Sequence, residues 1–185
     1  MGNGVRKTAK VLACVLLAGC TREAPPRRGE ASPTRYGNPE YEYAVQLPPG
    51  IEIETSTPPS PDHGFRVRLQ PPAGVWVWAH YETENAHTLA EEVESVRESW
   101  SGCRMAEWKA ATLGGVPAAE LTFHCPAAPG GKQPETMRML LAVRTPPDRG
   151  PVVYTVRLQH PQGTPAPEAD RVYRALIDGF SFTRG

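Results

Sequence analysis

From Tyr41 onward the chain places apolar residues at every second position in run after run, and this period of two constrains its fold more than any other feature. "YEYAVQLP" sets Tyr41, Tyr43, Val45 and Leu47 against Glu42, Ala44 and Gln46, and "IEIE" continues it after Pro48, Pro49 and Gly50. "FRVRLQ" sets Phe65, Val67 and Leu69 against Arg66, Arg68 and Gln70, and "VWVWAHY" sets Val75, Val77, Ala79 and Tyr81 against Trp76, Trp78 and His80. "RMAEWKAATL" and "VPAAELTFHC" flank a turn at Gly114 and Gly115; "TMRMLLAVRT" and "VVYTVRLQHP" flank "PPDRGP". Successive side chains of a strand point to opposite faces, so these runs predict strands with one buried and one wet face, joined by short Pro- and Gly-rich turns.

Two segments change the period. In "TLAEEVESVRESW" the residues Leu89, Val93, Val96 and Trp100 recur at intervals of four, three and four, a helical stripe with the glutamates facing water. Thr88 followed by Glu91 forms a capping box, and Gly102 suits the stop. In "APEADRVYRALIDGF" Pro167 suits the first turn, Ala169, Val172, Leu176 and Ile177 form the stripe, and Gly179 ends it before a short final strand, "FSFT". The result is an α+β fold, an antiparallel sheet flanked by helices, over residues 41–185.

The amino-terminal region follows other rules. Arg6, Lys7 and Lys10 precede an unbroken apolar stretch from Val11 to Ala18, the layout of a signal peptide over residues 1–19. A spanning helix needs about 20 apolar residues, so this run is too short to remain in a bilayer. Leu17, Ala18, Gly19 and Cys20 resemble the lipobox of bacterial lipoproteins, which implies cleavage before Cys20 and acylation of that cysteine. The alternative is an ordinary secretory signal that Cys20 happens to follow. Residues 20–40 mix Pro, Gly, Ser and both charges with almost no apolar content and read as a flexible tether. Thr21, where an Asp favours inner-membrane retention in Gram-negative lipoproteins, points to the outer membrane.

The full chain has 20 basic and 20 acidic residues; loss of Arg6, Lys7 and Lys10 leaves 17 against 20, a net charge of −3. That balance argues against nucleic-acid binding. With Cys14 in the signal and Cys20 lipidated, Cys103 and Cys125 remain, and a pair in an oxidising compartment reads as a disulfide. If Leu113, Gly114 and Gly115 form the loop, Cys103 lies directly opposite Cys125; a bulge would shift that register. A metal pair is the alternative, but no CxxC or HxH spacing accompanies it and His63, His80, His87, His124 and His160 are scattered. No metal and no cofactor are expected.

Candidate sites are few. A three-residue loop of Pro71, Pro72 and Ala73 would set Arg68 opposite Trp76 and Arg66 opposite Trp78, giving a face of Trp76, Trp78, His80, Arg66 and Arg68 suited to a protein partner. Against this stands a helix, the terminal one being the candidate, covering the same face, with the tryptophans as core and the arginine stems as rim. Asp62 beside His63 and His124 beside Cys125 lack any nucleophile, base and orienting group in a known catalytic arrangement, so a hydrolase is not expected. A carrier of a small hydrophobic ligand or lipid would need a deep apolar cavity, whereas the alternating strands and two amphipathic helices suffice to fill a core with side chains.

The order of elements, with "YEYAVQLPPGIEIE", the helix "TLAEEVESVRESW", the hairpin "LGGVPAAELTF", the strand "VVYTVRLQ" and the closing "YRALIDGFSF", resembles the PsbP/Mog1-like superfamily from Tyr41 to Phe182. Ile51 departs from it, since many relatives carry Trp after the Pro-Gly turn. The resemblance implies the fold and no residue roles, because a photosystem II subunit, a Ran-binding protein and bacterial lipoproteins share it. The combined reading is a lipid-anchored envelope lipoprotein with a non-enzymatic protein-binding or scaffolding domain. One acyl chain binds a membrane only marginally whereas two or three hold it durably, so Cys20→Ala is expected to move the protein from the membrane to the soluble fraction on cell fractionation.

Overall fold

The computed structural model describes residues 34–55, 63–70, 72–82, 87–127 and 133–183, all within the unit Ser32–Gly185. The export segment, Cys20 and Thr21 lie outside the described residues. In chain order the elements are β1 (Arg35–Asn38), β2 (Tyr43–Gln46), β3 (Ile53–Glu54), β4 (Gly64–Val67), β5 (Gly74–Tyr81), α1 (Leu89–Ser99), β6 (Arg104–Leu113), β7 (Val116–Cys125), β8 (Glu135–Arg144), β9 (Val152–Pro161), α2 (Pro167–Asp178) and β10 (Phe180–Phe182). They form two antiparallel sheets, one of order β1-β2-β10 and one of order β3-β4-β5-β9-β8-β7-β6.

The large sheet buries both faces. Phe65, Val67, Val75, Val77, Tyr154, Val156 and Leu158 meet α2 and the small sheet in one core. Leu121, Phe123, Met137, Met139 and Leu141 meet α1 on the other face. Helix α1 has the capping box expected of Thr88 and Glu91, with the Glu91 amide donating to Thr88 Oγ1 at 3.3 Å and the Thr88 amide donating to the Glu91 carboxylate at 2.7 Å. In α2, Pro167 occupies the first turn, and Val172, Tyr173 and Leu176 are fully buried. Val172 and Leu176 each contribute about 1.5–3 kcal/mol by leaving water. Gly179 ends α2 with a right-handed backbone; its role is close approach, because a Cβ there would stand 2.5 Å from the Gln46 carbonyl oxygen of β2.

Several expectations need correction. The folded body begins before Tyr41: Arg35–Asn38, expected as tether, pairs with β2, and the Tyr36 ring rests 4.7 Å from Phe65. One aromatic in a polar tetrapeptide leaves no periodicity to read, but backbone pairing and that ring suffice to seat it. The second face of the β2 region is dry, with Glu42 and Ala44 buried. Glu42 carries a left-handed φ of 54° and lies 3.8 Å from the Arg144 guanidinium and 3.5 Å from that of Arg149, so ion pairing tolerates its burial. Ile51, at 6 % exposure, packs into the core.

The β6–β7 turn has two residues, Gly114 and Gly115, with φ of 56° and 86°, which only glycine adopts freely. Leu113 and Val116 therefore pair, one step away from the expected register, and a bulge between Met105 and Glu107 restores it, so that Arg104 faces His124. Cys103 and Cys125 come to a Cα separation of 4.2 Å and form the disulfide. It closes a 22-residue separation, worth about 3 kcal/mol by restricting the unfolded chain. Replacing both cysteines by serine is accordingly expected to lower the unfolding free energy by about 3 kcal/mol in urea titrations.

Candidate interaction face

Strand β5 turns Val75, Val77 and Ala79 into the core and presents Trp76, Trp78 and His80 to the face that α1 shares. The register differs from the expected one. Arg66, not Arg68, faces Trp76, because the strand β4 ends at Val67 and the Arg68 amide donates to the Glu52 carbonyl at 2.9 Å. The Arg68 side chain leaves the face and pairs with Glu52 at 3.6 Å in solvent. Leu69 turns inward against the core, so the connection is longer than three residues.

The partner that sequence reading missed is Arg157 on β9. It faces Trp76 directly, with its guanidinium 4.5 Å from the Trp76 ring centroid and 5.2 Å from that of Trp78. Arg66 adds a third contact, 5.3 Å from Trp76. Trp76 thus takes a cation from each neighbouring strand, an arrangement in which the ring's negative face offsets the loss of water. Burial pulls the Arg157 guanidinium below its ordinary value, with Glu135 acting in the opposite sense. Both tryptophans are half-buried, and Trp78 packs against the cluster under α1, so the covering helix is the first one and it covers the face only in part.

Toward the end of β5 the face becomes ionic. His80 Nε2 lies 3.1 Å from Glu82 Oε1, and His87 Nε2 lies 2.9 Å from Glu92 Oε2. Glu92, expected to face water with its helix neighbours, is buried at 6 % exposure. One ligand atom each of Glu82, His87 and Glu92 lies within 4.8 Å of the others. Sequence spacing hides this trio because its members belong to a strand end, a linker and a helix.

The other histidines have structural duties. His63 Nδ1 bonds the Tyr41 hydroxyl at 2.7 Å and the Ala79 carbonyl at 3.1 Å; Asp62 lies outside the described residues. His124 Nδ1 meets the Thr136 hydroxyl at 3.3 Å, and its neighbour Cys125 is oxidised in the disulfide. On the far side of α1, Trp108 is 55 % exposed and lines a shallow apolar groove with Leu89, Val93 and Met105. Among the described residues no helix is long and apolar enough to cross a membrane.

No protein-family model and no curated protein matches this sequence. Solved structures match in shape. LpqN of Mycobacterium tuberculosis, involved in cell envelope biogenesis, superposes with a TM-score of 0.57 at 16% identity, over 76% of this chain and 83% of that one. Cyanobacterial PsbP of Synechocystis sp. PCC 6803 gives 0.51 at 15% identity, over 86% and 97%. The Ran-binding protein Mog1p of Saccharomyces cerevisiae gives 0.49 at 14% identity, over 83% and 97%. With antiparallel sheets, two helices and the likeness in shape to the LpqN and PsbP structures, the fold is PsbP/Mog1-like.

Proposed function

We propose that this chain is an envelope lipoprotein, acylated on Cys20 and held at the outer membrane, whose domain binds a protein partner without catalysing a reaction. The observation that carries the reading is the Arg66–Trp76–Arg157–Trp78 ladder, half-buried on a sheet face that α1 leaves partly open. Tryptophan and arginine dominate the energetics of protein interfaces because they bring large desolvated area and directional charge together. The role of LpqN in cell envelope biogenesis supports an envelope setting on a shared fold. The lipobox-like Leu17–Ala18–Gly19–Cys20 supplies the anchor, and Thr21 favours the outer membrane.

A photo-crosslinking residue at position 80, whose side chain is 37 % exposed and lies on this face after Trp78, tests the reading in intact cells. A discrete crosslinked species is expected with the wild-type face. Trp76→Ala is expected to cost about 2 kcal/mol or more of binding, roughly a 30-fold loss of affinity, with the protein still folded by circular dichroism. An unchanged crosslinking pattern in folded Trp76→Ala and Arg66→Ala variants would contradict it.

A further inference from the structure

The geometry points to a divalent transition-metal site, of the kind that takes Zn²⁺, formed by Glu82, His87 and Glu92 where the chain leaves β5 and enters α1. This inference does not rest on the proposed partner binding, although His80 belongs to that face. Three features carry it. First, the donors are one imidazole nitrogen and two carboxylates, a set that suits Zn²⁺, with three protein ligands leaving one tetrahedral position for water. Ligands about 2.0–2.1 Å from a tetrahedral Zn²⁺ stand about 3.3–3.4 Å from one another. The three donor atoms here lie within 4.8 Å of one another, and His87 and Glu92 are 2.9 Å apart, so small side-chain rotations bring all three onto one ion.

Second, Glu82 and Glu92 are anchored through their backbone amides. The Glu82 amide donates to the Pro151 carbonyl at 2.9 Å, His87 directly precedes the capping-box residue Thr88, and the Glu92 amide donates to the Thr88 carbonyl at 3.0 Å. His80 bonds one oxygen of Glu82, the role that outer-shell histidines and carboxylates play in orienting a ligand, and leaves that carboxylate's other oxygen for the ion. Third, the charge is unbalanced. The side chains of His87 and Glu92 are each 8 % exposed and that of Glu82 is 23 % exposed, and the two carboxylates are met by the imidazoles of His87 and His80, which are cations only when protonated. Burying carboxylate charge is costly without a compensating cation. Glu91, Glu94 and Glu98 line the adjoining cleft of about 480 Å³ with Glu82, and Arg97, on Glu94 at 3.1 Å, offsets only part of their field. Such a field draws cations toward the site.

Zn²⁺ titration of the purified, chelator-treated full chain by calorimetry tests the site. One Zn²⁺ per chain is expected, weakened about 100-fold or more in His87→Ala and about 10- to 100-fold in His80→Ala, the outer-shell change. Because His87 and Glu92 are buried, Glu82→Gln serves as the variant that preserves packing, and it too must weaken binding. Co²⁺ substituted for Zn²⁺ is expected to give a tetrahedral absorption spectrum that Glu82→Gln abolishes, while His160→Ala, on β9, leaves stoichiometry and affinity unchanged. No Zn²⁺ heat from the wild type, or equal affinity in the folded Glu82→Gln and His87→Ala variants, would overturn the inference.

Discussion

The pairing of β5 with β9 is the constraint on which the molecule depends. Eight residue pairs, from Gly74 with Gln159 to Tyr81 with Val152, join segments 71 to 85 residues apart in sequence. On one side lies the β3–β4–β5 group and on the other the β9–β8–β7–β6 meander. Without this seam neither group buries its second face. The seam also creates the Trp76–Arg157 contact, since β4 supplies only Arg66. Because it is so non-local, the loop entropy of closing it must be met before its contacts stabilise anything, which places the protein among the slower folders.

Once the seam exists, the helices have little choice of place. The chain must travel from central β5 to edge strand β6, across β9, β8 and β7, and α1 makes that crossing with Leu89, Val93, Val96 and Trp100 against Leu121, Phe123, Met137 and Met139. Glu82, His87 and Glu92 meet because they stand on either side of the joint where this crossing begins. The return from β9 through α2 covers the opposite face and delivers β10 to β2. There Tyr43 stacks on Phe180 at 5.2 Å, and Tyr154 of the large sheet meets both rings edge-on at 5.9 and 6.0 Å. The small sheet is thereby sewn to the large one by aromatic rings, with Arg144 over Phe182 at 4.9 Å beside them.

What was legible in the sequence was local. The capping box at Thr88, the apolar stripes of both helices and the inward set Val75, Val77 and Ala79 all follow from periods of 3.6 or 2 within one element. The disulfide was legible for a less direct reason: a loop one residue shorter than expected and a bulge near Ala106 offset each other. The Arg68–Trp76 pairing had no such second error to rescue it, because strand β4 stops at Val67 and follows β3 instead. Arg157 shows the limit most clearly. Its own strand displays the right alternation, but nothing in that alternation says that β5 is its neighbour. Glu92 is a different case: three residues after Leu89 and four before Val96 it stands on the edge of the apolar stripe, so the helical wheel already favours its burial, and only its partner His87 needs the fold.

Three carboxylates buried in the described residues divide by their partners. Glu42 lies between Arg144 and Arg149 and joins the small sheet to the large one. Glu120 accepts from Arg138 at 2.6 Å and Lys109 at 2.8 Å, while Arg138 also holds Asp170 of α2 at 2.6 Å; burial alone would raise the Glu120 carboxyl, but these hydrogen bonds more than reverse it and hold it below the ordinary range. Both sites set a carboxylate against guanidinium or ammonium groups that stay cationic at any physiological pH, as befits contacts that only hold elements together. Glu92 faces an imidazole instead, charged only when protonated, at a joint lined by further glutamates. A junction required only for packing would gain more from an arginine, or from an apolar residue that carries no desolvation cost at all. The fold accounts for the first two sites; the third has the chemistry of a place that accepts something from outside, and it lies on the same sheet face as the tryptophan ladder, where this chain's own sequence, and not its shared architecture, sets what can bind.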